Sequence, residues 1–278
     1  MKKKRILVVE DDRPTRLLIS KTLQKAGFAV ATASDGVSGL KQLRNKKMDL
    51  VLLDIWMPRM NGLEMLACMR AENLRSKAVV MTVDNTPATL LRAVREQAYQ
   101  YLSKPVEPKA LVELVRNALA AAPIPHIEVL SARQDWVELL VPCDLEAAER
   151  IEGFMERLDA DLATGVRYSV GRVFHEMLMN AVQWGGQLDP NRKVRISYLR
   201  ARRMVLYRIA DPGPGFNFEE LTHAAVSYPP ERILEHTSVR AQKGLRPGGF
   251  GILMARAMVD ELLYSEAHNE VVIVKYTD

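Results

Sequence analysis

The chain has 278 residues, of which 48% are hydrophobic and 26% charged, an ordinary composition for soluble globular domains. Its length allows two domains, each large enough to bury a core of its own. No apolar run approaches the ~18 residues that a membrane span requires. The short apolar stretch behind the basic residues 2–5 ends at Glu10-Asp11-Asp12, which is not typical of a secretion signal. We therefore expect a cytoplasmic protein with no membrane partner.

The net charge of +5 is unevenly divided between the two halves of the chain. Residues 1–122 carry 21 Lys and Arg against 12 Asp and Glu, whereas the remainder carries 18 against 22. A basic half invites a nucleic-acid interpretation, but the basic residues are scattered over several predicted helices and no helix-turn-helix follows them. DNA binding is therefore the least favoured function. The two cysteines, Cys68 and Cys143, lie far apart in the sequence, which favours buried thiols over a disulfide or a metal site.

The first half alternates β-branched runs with amphipathic stretches. This pattern predicts strands at residues 5–10, 29–33, 50–54, 78–82 and 99–103, and helices near 14–26, 36–46, 62–73, 87–97 and 107–121. Five βα units in this rhythm predict an α/β fold with a doubly wound, five-stranded parallel sheet. The ligand site of such a sheet lies at the carboxyl ends of its strands.

The second half begins after a proline-containing segment and has a different rhythm. Two prolines at 123 and 125 cannot continue the preceding helix, so we predict a linker over residues 122–126 between domains at 1–121 and 127–278. Beyond it the pattern predicts an α/β sandwich with helices on one side of a mixed sheet. Its predicted elements are strands near 127–131, 136–141, 193–199, 204–210 and 271–276, helices at 144–160, 167–184 and from 250, and a loop-rich stretch over 212–249.

Polar residues stand where the strands of the first sheet end. Glu10-Asp11-Asp12 follows the first strand, Asp54 ends the third, Thr82 ends the fourth and Lys104 follows the fifth. Because parallel strands deliver these ends to one edge of the sheet, we expect the side chains to meet there. Clustered carboxylates suit Mg²⁺, which prefers oxygen ligands. A carboxylate beside such a metal can attack a phosphoryl donor while the metal and an ammonium neutralise the developing charge.

These features resemble the response-regulator receiver family, whose fold is flavodoxin-like, over the whole first half. The motifs that carry the resemblance are Val9-Glu-Asp-Asp12, Leu53-Asp-Ile-Trp-Met-Pro58 with Gly62, Met81-Thr82 and Tyr101-Leu-Ser-Lys-Pro105. The resemblance implies that a sensor histidine kinase is the cognate partner and that Asp54 is the phosphoacceptor. It also implies a cis peptide bond before Pro105. The remaining implied roles are Mg²⁺ binding by Asp11, Asp12, Asp54 and the Trp56 carbonyl, phosphoryl binding by Thr82 and Lys104, and an aromatic switch at Tyr101.

Three separated signals mark the second half. Glu176 and Asn180 are one helical turn apart and so share a face, which suits metal binding and activation of a hydroxyl. Asp211-Pro-Gly-Pro-Gly215 follows a strand, and its carboxylate can accept a hydrogen bond from an exocyclic amine. Gly244-Leu-Arg-Pro-Gly-Gly-Phe-Gly251 opens a helix, where free N–H groups can bind phosphates.

The order and spacing of these signals resemble the Bergerat-fold ATPases. The resemblance implies ATP and Mg²⁺ as cofactors, with Asn180 on the metal, Asp211 on adenine and a lid over residues 217–247. The glycines that match its boxes are Gly213, Gly215, Gly248, Gly249 and Gly251, and Arg246 is expected at the terminal phosphate. No phosphoacceptor hairpin precedes this half, unlike in sensor histidine kinases.

The second half looks most like the anti-sigma-factor serine kinase branch, through Glu176-Met-Leu-Met-Asn-Ala181 and the ending Gly249-Phe-Gly-Ile-Leu-Met254. In that branch Glu176 would be the general base, and an anti-sigma-factor antagonist or a sigma factor would be the partner. The expected function is a response regulator in which Asp54 controls a serine/threonine kinase domain. The alternatives are a non-catalytic, ATP-dependent partner-binding switch and, last, a DNA-binding regulator. Movement at Tyr101 is expected to reorient the second domain or to free a homodimer surface.

Overall fold

The computed structural model describes residues 3–83, 86–120, 127–133, 135–244 and 248–277. The chain forms two compact units, Met1–Ile124 and Pro125–Asp278. The predicted linker at 122–126 lies outside the described residues, as does Arg246. Among the described helices, none combines the length and the apolar character needed to cross a membrane.

The first unit is the predicted doubly wound parallel sheet. Its five strands lie in the order β2-β1-β3-β4-β5, and every neighbouring pair is parallel. The strands are β1 (Arg5–Val9), β2 (Ala29–Ala33), β3 (Leu50–Asp54), β4 (Lys77–Thr82) and β5 (Gln100–Ser103). The helices are α1 (Arg13–Lys25), α2 (Gly36–Asn45), α3 (Gly62–Ala71), α4 (Pro87–Arg95) and α5 (Pro108–Ala120). The predicted fold class is confirmed.

The central strands of this sheet are apolar along their length because helices cover both faces. All five residues of β3 and the last four of β1 are buried. The strand order reverses between β1 and β3, and ligands bind outside the carboxyl ends of the strands at such a switch point. A ligand is therefore expected next to the residues that follow Val9 and next to the last residue of β3.

The second unit is a six-stranded sheet with helices packed on one face. The strand order is β10-β11-β9-β8-β7-β6. The strands are β6 (Glu128–Ala132), β7 (Trp136–Pro142), β8 (Lys193–Ala201), β9 (Met204–Ala210), β10 (Glu261–Tyr264) and β11 (Glu270–Tyr276). The helices are α6 (Leu145–Leu158), α7 (Thr164–Asn180), α8 (Glu235–Gln242) and α9 (Gly251–Met258). Alternate residues of β7, β8 and β9 are buried, including Val137, Leu139, Ile196, Tyr198, Tyr207 and Ile209.

The α/β sandwich of the second unit is confirmed, but its strand pairs are antiparallel where a mixed sheet was predicted. This holds for every pair among the described strands. The reason lies in the connections. Strand β7 leads into β8 through two helices, α6 outward and α7 back, so that β8 starts at the end where β7 finished. Short turns within the β6–β7 and β8–β9 hairpins also impose antiparallel pairing.

Two elements of the second unit were not predicted from the pattern. Strand β10 has four residues at the sheet edge, and Leu263 within it is exposed. Helix α8 lies inside the predicted loop-rich stretch, and His236 is its buried residue. Neither element has the apolar periodicity that identifies a strand or a helix. Helix α7 also ends at Asn180 and continues as a π-helical turn, Ala181–Gly185, rather than as a regular helix to 184.

Candidate phosphorylation and nucleotide sites

Three carboxylates meet at the carboxyl end of the first sheet. One oxygen from each of Glu10, Asp11 and Asp54 lies within 4.8 Å of the other two. Glu10 and Asp54 are buried, at 1% and 5% exposure, whereas Asp11 is exposed. A group of carboxylate oxygens with one side open to solvent fits a hard divalent cation that keeps part of its water shell. These residues therefore fit Mg²⁺.

Lys104 neutralises the buried part of this cluster. Its Nζ lies 2.7 Å from Glu10 Oε2 and 3.0 Å from Asp54 Oδ1. Burial raises the pKa of Asp54 and of Glu10, and the hydrogen bonds from Lys104 partly offset that effect. Burial also opposes the charge on Lys104, but its two carboxylate partners prevail and raise the pKa of the ammonium. The lysine is thus held as a cation beside the predicted acceptor.

Asp12 is not part of the carboxylate cluster, which corrects its predicted role as a metal ligand. It is the N-cap of α1, and its Oδ2 accepts a hydrogen bond of 2.8 Å from the Thr15 backbone N–H. Glu10 takes the place in the cluster, which the sequence reasoning missed. Pro14 was the available signal, because proline in the first turn of a helix favours an Asp just before that turn as its cap.

The other predicted receiver residues lie on or next to the same strands. Thr82 is the fully buried last residue of β4, and Asp54 pairs with its neighbour Met81. Tyr101 lies buried on β5, whereas the Trp56 side chain is 58% exposed. The Lys104–Pro105 peptide bond is cis, as predicted. The sheet therefore brings together Asp54, Asp11 and Lys104, with Thr82 ending the adjacent strand.

Gly62 controls how closely the loop after β3 approaches the acceptor strand. Its N–H donates to Ile55 O at 2.8 Å, and a Cβ placed on it would lie 2.2 Å from Asp54 O. We expect Gly62→Ala to lower stability by about 1–3 kcal/mol through overpacking and to slow phosphorylation of Asp54. Thermal unfolding and labelling by acetyl phosphate measure the two effects. Gly165→Ala, in helix α7 of the second unit where a Cβ meets nothing within 4 Å, should not lower stability and should leave phosphorylation unchanged.

The second unit contains a cavity of about 620 Å³ at the predicted nucleotide site. Helix α7 contributes Glu176 and Asn180 from consecutive turns, and Asp211 enters from the end of β9. The predicted residues that line this cavity are Glu176, Asn180, Asp211, Gly215, Gly248, Gly249 and Gly251. Its volume is in the range of small-molecule sites, roughly 300–1,000 Å³. Three segments far apart in the sequence thus form one concave site.

Glycines let the Asp211 loop pack closely at the end of α7. A Cβ on Gly185 would lie 2.2 Å from Asp211 Cγ, and a Cβ on Gly215, whose φ is +88°, would lie 1.6 Å from Ala267 O. Gly213 does not line the cavity, but its N–H donates to Asp211 Oδ1 at 2.7 Å. Burial raises the pKa of Asp211, and this hydrogen bond partly offsets the effect. The carboxylate retains acceptor capacity for a further donor.

The third glycine segment meets Glu176 at the start of α9. Gly251 is the first residue of that helix, and a Cβ placed on it would lie 2.6 Å from Glu176 Oε2. Gly248 and Gly249 have φ values of +148° and +90°, which favour glycine. Free N–H groups at a helix start attract anions. A phosphate bound here would lie next to the Glu176 carboxylate.

Two further residues at this site were missed by the sequence reasoning, His236 and Arg240, both on α8. Arg240 lines the cavity and donates from Nη1 to His223 O at 3.1 Å. His236 is fully buried, with Nε2 3.0 Å from Gly248 O and Nδ1 in contact with Ile233 O. No sequence signal marks either residue, because α8 has no apolar pattern to show which of its residues face inward.

His236 fixes the glycine segment to α8, so its removal should weaken phosphate binding. We expect His236→Ala to reduce ATP affinity about tenfold, the equivalent of one or two positioning hydrogen bonds, and to leave adenosine affinity within a factor of about two. Isothermal titration calorimetry measures both ligands. An equal loss for ATP and adenosine would mean that the substitution disrupts the whole cavity.

Cys143 follows β7, packs against Gly186 and is fully buried. Burial raises its pKa to about 11. The pKa of this thiol is therefore higher in the folded protein than in the unfolded protein. The folded state is then destabilised relative to the unfolded state as the pH rises from the unfolded-state pKa toward 11. We expect the unfolding free energy to fall over that range in urea titrations, and Cys143→Ala to remove this part of the slope. The half-buried Cys68 should react with iodoacetamide before Cys143 does.

Comparison with known proteins identifies two domain classes in the chain. Residues 6–116 match the family model of the response regulator receiver domain, and residues 141–275 match that of the histidine kinase-like ATPase domain. The chain therefore carries a response regulator receiver domain together with a histidine kinase-like ATPase domain. The anti-sigma-factor branch is not distinguished by these matches.

The chain is similar to several individual proteins over part of its length. The DNA-binding response regulator MtrA of Mycolicibacterium paratuberculosis is 29% identical over 203 residues, covering 72% of this chain and 89% of that protein. The alkaline phosphatase synthesis transcriptional regulatory protein PhoP of Bacillus subtilis is 30% identical over 121 residues, 44% of this chain and 50% of that protein. Among solved structures, the chemotaxis protein CheY4 of Vibrio cholerae has 27% identity and a TM-score of 0.41, covering 42% of this chain and 99% of its own.

Proposed function

We propose that phosphorylation of Asp54 by a sensor histidine kinase controls an ATP-dependent serine/threonine protein kinase in the second domain. The partner that this domain phosphorylates or sequesters is an anti-sigma-factor antagonist or a sigma factor. One observation carries the kinase proposal. The Glu176 carboxylate stands beside Gly251 at the start of α9 and in the same cavity as Asn180 and Asp211.

The input reaction uses the carboxylate cluster of the receiver domain. An oxygen of Asp54 attacks the phosphoryl group of the donor, and the bond to the donor atom breaks as the acyl phosphate forms. Lys104, 3.0 Å from Asp54 Oδ1, supplies a fixed positive charge for the phosphoryl oxygens, and Thr82 at the end of β4 binds one of them. Mg²⁺ held by Asp11 and Asp54 would supply further positive charge next to the phosphoryl oxygens. In the second domain, Mg²⁺ held by Asn180 would do the same for the phosphates of ATP.

The output reaction uses the cavity of the ATPase domain. Asp211 accepts a hydrogen bond from the adenine amine, and the glycines at 248, 249 and 251 allow phosphates to approach the N–H groups at the start of α9. Glu176 then takes the proton of a serine or threonine hydroxyl as that oxygen attacks the terminal phosphorus. The Glu176 side chain is 30% exposed, so a hydroxyl group of a partner can reach it from solution.

Transfer of phosphate from ATP to a partner tests the kinase proposal. The wild type and Glu176→Gln are incubated with radiolabelled ATP and candidate antagonists, and ATP affinity is measured in parallel. We expect Glu176→Gln to bind ATP within about threefold of the wild type and to lose transfer by a factor of about 100 or more. Glu266→Gln, at an exposed carboxylate that does not line the nucleotide cavity, is the matched control. Glu176→Gln that still transferred phosphate would remove the general-base role.

A non-catalytic, ATP-dependent partner-binding switch is the second candidate. Arg172 Nη2 lies 3.6 Å from Glu176 Oε1, and an arginine that stays on this carboxylate would occupy the oxygen that a general base needs. In that case ATP would promote partner retention on a column with no phosphate transfer. The DNA-binding activity named for MtrA is the third candidate. It would show as duplex binding that weakens steeply with salt, which we do not expect.

A further inference from the structure

A second cavity, of about 550 Å³, lies between helices α6 and α7 of the ATPase domain. It shares no lining residue with the nucleotide cavity among the described residues. Its floor contains Met155, Phe174 and Tyr207, which are buried, and the Asp159 carboxylate, which accepts hydrogen bonds from Tyr198 and Tyr207. We call this cavity the α6–α7 groove. Its floor is thus apolar except for a satisfied carboxylate.

The groove stays open because each helix carries a glycine on the wall that faces it. A Cβ on Gly171 would meet nothing within 4 Å, and one on Gly153 would meet only Arg157 Nη1 at 3.4 Å. Neither position has the positive φ that requires glycine. Glycine inside a helix is destabilising relative to alanine, since it loses more backbone freedom on folding. Neither packing nor backbone geometry requires glycine at these two positions, and the space beside them is open to a ligand.

The charged side chains on the two walls of the groove differ in whether they have partners within the protein. On the α7 wall, Arg167 donates to Ala160 O at 3.1 Å, Arg172 pairs with Glu176, and His175 contacts Glu152 at 2.9 Å. On the α6 wall, Glu149 and Glu156 are exposed and form no ion pair with any residue that the structure describes. Arg172 and His175 thus face carboxylates and Arg167 a backbone carbonyl, whereas Glu149 and Glu156 have no cationic partner among the described residues.

The spacing of the two carboxylates indicates the shape of that ligand. Glu149 and Glu156 are two helical turns apart on one face of α6, which separates them by about 10 Å along the axis. Two basic residues at positions i and i+7 of a second helix have the same separation, and apolar residues at i+3 and i+4 would lie between them over the floor. Nucleic acid does not fit, because its phosphates would face these carboxylates.

We propose that the α6–α7 groove is the docking site for an amphipathic, basic helix of the protein partner. This inference rests on the proposed function in one respect, that the ATPase domain acts on a protein. Arg172 and His175 of the groove lie within two turns of Glu176 on the same helix. A partner held in the groove is therefore close to the residue that would accept its hydroxyl proton.

A synthetic helix provides the test on the full chain. The probe is a fluorescein-labelled peptide of about four helical turns, with Lys at i and i+7 and Leu at i+3 and i+4. A peptide with Glu in place of both Lys is its control. Fluorescence anisotropy should show saturable binding of the basic peptide by the wild type, at least about tenfold tighter than the acidic peptide. Equal affinity for the two peptides would overturn the proposal.

Substitutions in the groove separate docking from non-specific attraction. Glu149→Lys with Glu156→Lys should weaken peptide binding at least about tenfold, whereas Glu266→Lys, at an exposed position outside both cavities, should not. Gly171→Leu should also abolish binding by filling the groove, and Gly171→Ala should raise the melting temperature. Unchanged ATP affinity in these variants shows that the domain is folded. Retention of peptide binding by the Gly171→Leu variant would contradict the groove as the site.

The two proposals can fail separately. If the peptide binds as described and no partner receives phosphate from ATP, the groove stands and the kinase function falls. If a partner is phosphorylated with the same KM by the wild type and by the Glu149→Lys, Glu156→Lys variant, the kinase function stands and the groove is not its docking site.

Discussion

The Asp54→Asn variant should acquire no phosphoryl group from acetyl phosphate or from a sensor kinase. An amide oxygen is a poor nucleophile, and the substitution also removes the negative charge that holds Lys104 at 3.0 Å. We expect the acid-stable, base-labile acyl phosphate of the wild type to fall by a factor of at least about 100. Phosphate-affinity gel electrophoresis and intact mass spectrometry measure the yield directly.

A second carboxylate of the same domain provides the control for this result. Glu72 lies exposed on the surface and pairs with Arg44 at 2.5 Å, and Glu72→Gln should leave the phosphate yield unchanged. Substantial labelling of the Asp54→Asn variant would place the acceptor elsewhere. Asp11 would then be the next carboxylate to test, because its oxygen lies within 4.8 Å of that of Asp54.

The Asp211→Asn variant should lose ATP affinity and change its preference between nucleotides. The Gly213 N–H donates to Asp211 Oδ1 at 2.7 Å. If the side-chain amide of the variant accepts this hydrogen bond with its oxygen, its NH₂ group faces the base. That donor opposes the adenine amine but matches the oxygen of guanine. We expect ATP affinity to fall about 10- to 100-fold and the ATP-to-GTP affinity ratio to fall further still.

Calorimetry with both nucleotides measures this change in preference. Asp189→Asn, on the turn before β8 and outside the cavity, should leave both affinities unchanged. A variant that bound ATP as tightly as the wild type would show that Asp211 does not contact the base. A parallel loss of ATP and GTP binding with the ratio unchanged would indicate a structural role for the carboxylate.

The receiver half was predictable because local patterns and topology coincide there. Each strand of the first sheet is a short apolar run with a polar residue at its end, and parallel strands necessarily bring those ends together. Asp12 was assigned wrongly because three consecutive acidic residues follow Val9, and only the helix start at Arg13 decides which of them turns toward Asp54. Reading Pro14 as a helix-start signal before assigning ligands would have favoured Glu10 and Asp11.

The second half was less predictable because its site depends on tertiary packing. The glycine segments and the Glu176–Asn180 pair are visible in the sequence, and the structure places them in one cavity. The role of His236 is not visible, because a lone histidine in a polar stretch becomes meaningful only when its ring meets Gly248 and Phe250. The same holds for Gly153 and Gly171, which lie on different helices and form a groove only after α6 and α7 pack.

Helix α7 forms a wall of both cavities, with Arg172 in one and its ion-pair partner Glu176 in the other. Thermodynamic linkage then constrains any pair of ligands that bind to the two cavities. If nucleotide draws Glu176 away from Arg172 and so changes the affinity of the groove by some factor, occupation of the groove must change the affinity for nucleotide by the same factor. A single ion pair on one helix can thus couple nucleotide binding to partner binding, so that each ligand changes the affinity of the protein for the other.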